Sequence, residues 1–216
     1  MIHFWTLIRF QYKILNGVWY RLPVLLAFIF FQLAFVLMNG DSDREYWFIP
    51  VAVILFTLIL NQSFDQTIQE DLADDGFAWL TSQQISVSIY FLAKCFAFCV
   101  SIMCPGIFLI LLTWLLKGEQ TVHFGVMGIA LFLVGIQNIG FAGAVSAATY
   151  ASKRQILHVS LPICLIPLGL PSLIILYALE QMQLSSFSAL SILSGMALIS
   201  MALGMTIFSY SIRCRF

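Results

Sequence analysis

Residues 51–60 read VAVILFTLIL, and the way this run meets its solvent decides the architecture. Polar and apolar residues do not alternate in it, so it cannot be a span of a membrane β-barrel, which needs alternating polarity. A helix is the remaining choice. The composition supplies its surroundings: of 216 residues, 61% are hydrophobic and 9% charged, with a mean hydropathy of +0.98. A soluble domain carries about 25% charge because its surface faces water. Ten Lys+Arg and ten Asp+Glu cannot cover a globule of this size. The chain is therefore read as an all-α integral membrane protein.

Outward from that run, the apolar stretch extends over about 47–62, and others follow the same pattern at 22–38, 95–116, 124–148, 157–179 and 189–210. Each approaches the roughly 20 residues that a helix needs to cross about 30 Å of hydrocarbon. Six transmembrane helices make one domain, 1–216, with little left outside the membrane. Orientation follows from the cations. With the N-terminus inside, Arg9, Lys13, Arg21, Lys94, Lys153, Arg154, Arg213 and Arg215 are cytoplasmic, against Arg44 and Lys117 outside. Both termini are placed in the cytoplasm. Residues 1–21 mix Trp5, Phe10, Tyr12, Trp19 and Tyr20 with those cations and read as an interfacial segment rather than a cleavable signal peptide. A net charge of zero argues against nucleic acid as a partner. Five Cys placed singly in apolar runs argue against a disulfide scaffold.

One segment departs from this background. Residues 64–84 read FDQTIQEDLADDGFAWLTSQQ and hold Asp65, Glu70, Asp71, Asp74 and Asp75, half of all the acids, with no Lys or Arg. On a helix Phe64, Ile68 and Leu72 share a face, the carboxylates take most of the rest, and Gly76 ends it before a short piece around Trp79. Such a segment reads as a solvated loop or as a docking helix for a soluble partner with a basic groove. A carboxylate site for a hard cation is the third reading. It fails against the pattern of a CDP-alcohol phosphotransferase, because Asp75-Gly76 is followed by Phe77, Ala78 and Trp79, with no Arg and no later Asp. No GxxxxGK[ST] occurs, so ATP phosphates must be held by another subunit if ATP drives this protein.

These residues resemble the haem exporter protein B (CcmB) family, the membrane permease of the ABC-type complex in cytochrome c maturation. The family's acidic Asp-Leu-x-Asp motif reads here Glu70-Asp71-Leu72-Ala73-Asp74, and its Ala-Lys at the foot of the third span reads Leu92-Ala93-Lys94. Residues 149–154, TYASKR, are similar to its Thr-x-x-x-Lys-Arg, and Pro167-Leu168-Gly169-Leu170-Pro171 to its proline pair. The resemblance covers about residues 61–179. Departures fall at Asp75, where the family has Gly, at Ala78 for Glu, at Ser82-Gln83-Gln84 for a Pro-rich turn, and at Gln155-Ile156 for a glycine pair.

The resemblance implies an ABC-2-type permease architecture with a cytoplasmic docking helix, in the inner membrane, and no catalysis by this chain. It implies a cytoplasmic ABC ATPase that carries the ATP, a haem-handling membrane subunit and haem as cargo of the complex; the six-span size leaves self-association open, since a half-size permease normally pairs with itself or a similar subunit. The docking residues would be Phe64, Asp65, Ile68, Glu70, Asp71, Leu72, Asp74, Asp75, Trp79 and Lys94. A permease of the same class with another cargo (drug, lipid or glycan) shares the topology and stays as the alternative.

Single residues are read as architecture. His3, His123 and His158 are scattered, with His123 an interfacial anchor; Cys95 and Cys99 share a helix face as small core hydrophobes. Gln32, Gln137 and Asn138 lie inside spans, where hydrogen bonds between helices explain them. Gly135, Gly140 and Gly143, with Gly195 and Gly204 to a lesser degree, mark faces of close helix approach. Pro162, Pro167 and Pro171 would kink the fifth span.

Overall fold

A computed structural model describes residues 5–9, 11, 48–73, 86–116, 124–151, 169–179 and 183–213, and its regular structure is helical throughout. In chain order α1 is Phe48–Ala73 and α2 is Val87–Phe98. A π-helical turn, Cys99–Met103, continues α2 into α3, Cys104–Leu116. Then come α4, Phe124–Ala151, α5, Gly169–Leu179, and α6, Ser186–Arg213. Among the described residues three stretches are long and apolar enough to cross a membrane: Val87–Leu112, Gly125–Thr149 and Ser186–Arg213, of 26, 25 and 28 residues. At 1.5 Å per residue each is about 38–42 Å long, more than the hydrocarbon thickness. They correspond to the expected third, fourth and sixth spans. The fifth is seen only as the shorter apolar helix α5, and the first, at 22–38, lies outside the described residues. Near the N-terminus Leu7 and Ile8 are buried while Trp5 and Arg9 are exposed.

Two expected boundaries are corrected. The acidic segment does not start a helix of its own: α1 runs unbroken from the apolar residues through Asp65, Glu70 and Asp71 to Ala73. No Gly or Pro interrupts residues 51–73, and Gln, Glu and Leu are good helix formers. Phe56, Leu60, Phe64 and Ile68, four residues apart, form one inward stripe with at most 1% exposure. The third span begins at Val87 rather than near Cys95, so Lys94 lies inside the helix instead of at its foot.

α4 is the centre of the packing, set against α6 along much of its length and against α1 on another side. Glycine makes the α4–α6 contact possible. A Cβ on Gly140 would lie 2.7 Å from the carbonyl of Ser200, and one on Gly204 would fall on the carbonyl oxygen of Gly140. Backbone meets backbone here, as the small-residue face anticipated. Gly143 makes room for the rings of Phe91 and Phe64 and Gly135 for the thioether of Met103, whereas nothing lies within 4 Å of a Cβ at Gly195.

The π turn has a cause in the sequence. Pro105 has no N–H to give the carbonyl of Ser101 four residues back, and its ring crowds that carbonyl. The helix widens instead, and the amide of Cys104 donates to Cys99, five residues away.

Candidate functional site

The acidic end of α1 meets the beginning of α2 around one buried cation. Lys94 is 1% exposed, and its ammonium donates to the Asp71 carboxylate and to the Thr67 carbonyl, with the Tyr90 hydroxyl at 3.5 Å. The ring of Tyr90 lies 5.9 Å below the same nitrogen. A charged amine inside an apolar bundle is costly unless an opposite charge and acceptors surround it. Asp71 supplies the charge, and a carbonyl and a hydroxyl complete the shell. The Asp71 side chain keeps 23% of its surface in solvent against 2% for Lys94, so the pair bridges interior and surface.

Around this pair α1 stabilises its own acids. Gln69 donates to Asp65 at 2.6 Å and Gln66 to Glu70 at 3.3 Å, both one turn apart, and Thr67 caps the Phe64 carbonyl at 2.8 Å. One turn deeper an aromatic cluster fixes the junction. Phe64 meets Phe98 edge-on at 5.0 Å and Phe91 at 6.3 Å; Phe208 of α6 packs on Phe91 at 4.9 Å and Tyr90 at 6.4 Å. Ser88 and Ser209 share a hydrogen bond of 2.8 Å that also joins α2 to α6. The end of α1 is thus bolted to α2 by charge and ring packing and fits against Gly143 of α4, while Phe208 ties α6 to α2.

Of the ten residues expected to dock a partner, Phe64, Ile68 and Lys94 are buried within this chain and offer no surface. Asp65, Glu70 and Asp71 lie on the partly exposed side of α1. The Leu72 side chain and residues Asp74, Asp75 and Trp79 lie outside the described residues, as do His3, His123 and His158. The structure brings Asp71 and Lys94 together as an ion pair, which the sequence reading had placed on one surface without pairing them. Thr67 and Tyr90 were missed; their signal is a lone lysine in an apolar run, which must find acceptors nearby. Elsewhere Cys95 is buried as expected, Cys99 is intermediate, and Cys104 is exposed. All three line an apolar groove of about 440 Å³ with Phe96, Phe132 and Met201. Among the described residues no three His, Cys, Asp or Glu side chains converge to hold a metal ion.

Three long apolar helices in a glycine-packed bundle, with a further helix beside them that carries acids at one end, define a multi-pass helical membrane protein. The sequence profile described as CcmB protein matches residues 8–215, and the chain belongs to the CcmB family. The match extends on both sides of residues 61–179, the stretch that carried the resemblance. CcmB is the permease of the haem export ABC transporter in cytochrome c maturation. The chain is therefore a non-catalytic subunit of an ABC complex in which a separate ATPase hydrolyses ATP. No curated protein matches the chain.

Proposed function

We propose that the chain is a six-span half of this exporter, with both termini on the cytoplasmic side of the inner membrane, and that its ATPase docks on residues 64–84. Asp65, Glu70, Asp71, Leu72, Asp74, Asp75 and Trp79 form the contact, their carboxylates facing a basic groove on the ATPase. Phe64, Ile68 and Lys94 hold the segment from behind. A haem-handling membrane subunit and a second permease half complete the assembly.

The observation that supports this reading is the continuity of α1 from its apolar residues to Ala73 together with the Lys94–Asp71 pair. Closure of the ATPase on nucleotide pushes the acidic end. A continuous helix cannot absorb that push in a loop, so it moves as a rod. Lys94 then passes the displacement to α2, and the aromatic cluster passes it to α4 and α6. The chain makes and breaks no bond; it converts a movement at one face into a rearrangement on the other, where haem is delivered.

The test is to purify the intact complex gently and identify its subunits, with a haem spectrum of the preparation. Wild-type protein should bring down an ATPase and a haem-loaded membrane subunit, and Glu70→Lys with Asp74→Lys should lose the ATPase while keeping the membrane partners. An ATPase retained at wild-type level by that double variant would refute docking on residues 64–84.

A further inference from the structure

Midway across the bundle several helices turn a polar residue inward. Asn61 lies near the middle of α1, and Ser101, Gln137, Asn138 and Ser200 lie near the midpoints of the three long apolar spans. All five are at most 2% exposed. Ser200 bonds the Ala197 carbonyl within its own helix, at 2.9 Å. Asn138 donates to the Val134 carbonyl at 2.8 Å and approaches the Thr57 hydroxyl at 3.5 Å. Asn61 and Ser101 differ from these. Neither the amide nitrogen nor the amide oxygen of Asn61 has a hydrogen-bond partner, and the Ser101 hydroxyl has none.

Helix register brings these orphaned groups to one place. Asn61 stands one turn from Thr57 and one from Phe64, so the three share a face of α1. Thr57 meets Asn138 of α4, and Phe64 meets Phe98, one turn before Ser101. Asn61 therefore faces the seam between α2 and α4 at the level of the π turn. At this level Met103 fills the notch left by Gly135. The backbone adds a weak point: with no N–H on Pro105, the Ser101 carbonyl cannot take the donor four residues on that an α-helix would give it.

Unpaired polar groups cost several kcal/mol each at membrane depth, where lipid offers no hydrogen bond. Side-chain amides and hydroxyls in this setting persist when something small bonds them, and a water needs two to four polar partners, which this seam supplies. We propose that Asn61, Ser101 and the Ser101 carbonyl bound a buried water site between α1, α2 and α4, and that its water serves the π turn as a hinge. Water donates to whichever carbonyl the turn leaves open, so α2 changes pitch without stranding a backbone group. The proposal stands on the packing alone and does not depend on where the ATPase binds.

Radiolytic hydroxyl-radical footprinting of the purified complex tests it, because radicals formed from a bound water oxidise the side chains beside it even where bulk solvent does not reach. Met103 is 0% exposed and Met127 is 1% exposed, so the second is an internal control for the first. The expected result is clear oxidation of Met103 with little at Met127, and a several-fold loss of the Met103 signal in Asn61→Leu with Ser101→Ala. Equal oxidation of the two methionines in the wild-type complex would overturn the water site, and this arm needs no variant to fold. Replacing sodium and potassium by choline should change neither the oxidation nor the melting temperature; a marked change in either would overturn water in favour of a monovalent cation on the same oxygens.

Discussion

Removing one member of the Lys94–Asp71 pair should cost very different amounts depending on which member goes. Asp71→Asn leaves an ammonium that is 1% exposed with a carbonyl and a hydroxyl but no counter-charge. Removing one partner of a buried ion pair costs about 3–5 kcal/mol for this reason. Lys94→Met fills the same space with an apolar chain and leaves behind a carboxylate whose side chain is 23% exposed and turns to water, so the loss should be nearer 1 kcal/mol. The double variant Asp71→Leu with Lys94→Met removes both charges and should return to within about 1 kcal/mol of wild type, since apolar replacement of a buried pair is often neutral. For a chain of this size 1 kcal/mol shifts the melting temperature by about 2–4 °C. Asp71→Asn should therefore melt about 6–20 °C below wild type, and Lys94→Met only about 2–4 °C below. Fluorescence-detected gel filtration of heated detergent extracts measures the series. If Lys94→Met is as damaging as Asp71→Asn, or if the double variant shows the sum of the singles, the two groups are not coupled and the charge lock is wrong. Exchanging the charges, Asp71→Lys with Lys94→Asp, should rescue only in part, because a carboxylate at position 94 cannot donate to the Thr67 carbonyl.

Further outcomes follow from particular contacts. Gly140→Leu should abolish stable protein, because its Cβ falls 2.7 Å from the Ser200 backbone and backbone cannot swing aside; Gly195→Ala, with nothing within 4 Å, should be neutral or gain about 0.5–1 kcal/mol in the same heating assay. Ser88→Ala should cost about 0.6 kcal/mol, the usual worth of a hydrogen bond between membrane helices, and Ser209→Ala added to it should cost nothing more. Pro105→Ala returns a donor to the Ser101 carbonyl and should let the π turn relax to α-helix; amide hydrogen exchange at 99–104 should slow, the melting temperature should rise, and haem delivery in cells should fall.

Much of the helical frame was legible in the sequence because hydrocarbon imposes a single demand, and apolar runs between charges report it. The same habit of reading charges as boundaries misplaced the start of the third span. Lys94 looked like a cytoplasmic foot because an isolated lysine does not belong in a span; only the fold reveals that Asp71, 23 residues earlier, comes round to neutralise it. The acidic helix face was read correctly as Phe64 and Ile68 on one side, but the sequence could not say that this side meets Phe91, Phe98 and Phe208 rather than a partner. Glycines at 140 and 204 were legible as close approach, since small residues at an interface have few other uses in a membrane. Asn61 was invisible: at the edge of a hydropathy window, an Asn beside Gln62 reads as the end of a span. Placing it inside requires knowing that α1 does not stop there.

The two polar features of this bundle divide the labour that a coupled permease requires. A lock must transmit force, so its groups should be fully paired and resist separation. The Lys94–Asp71 pair, with Thr67 and Tyr90 around it, meets that condition at the end of α1 where the push would arrive. A hinge must have two arrangements of similar energy, which groups paired to fixed protein partners cannot offer. Asn61 and Ser101, with unmet hydrogen-bonding capacity beside a π turn, meet that second condition at mid-depth. Between them stand Phe98 and, packed tightly against Gly143, Phe64 and Phe91, so displacement entering at the lock has no softer place to go than the turn above it. On this argument a variant of the lock should alter stability first and export second, whereas a variant of the hinge should do the reverse.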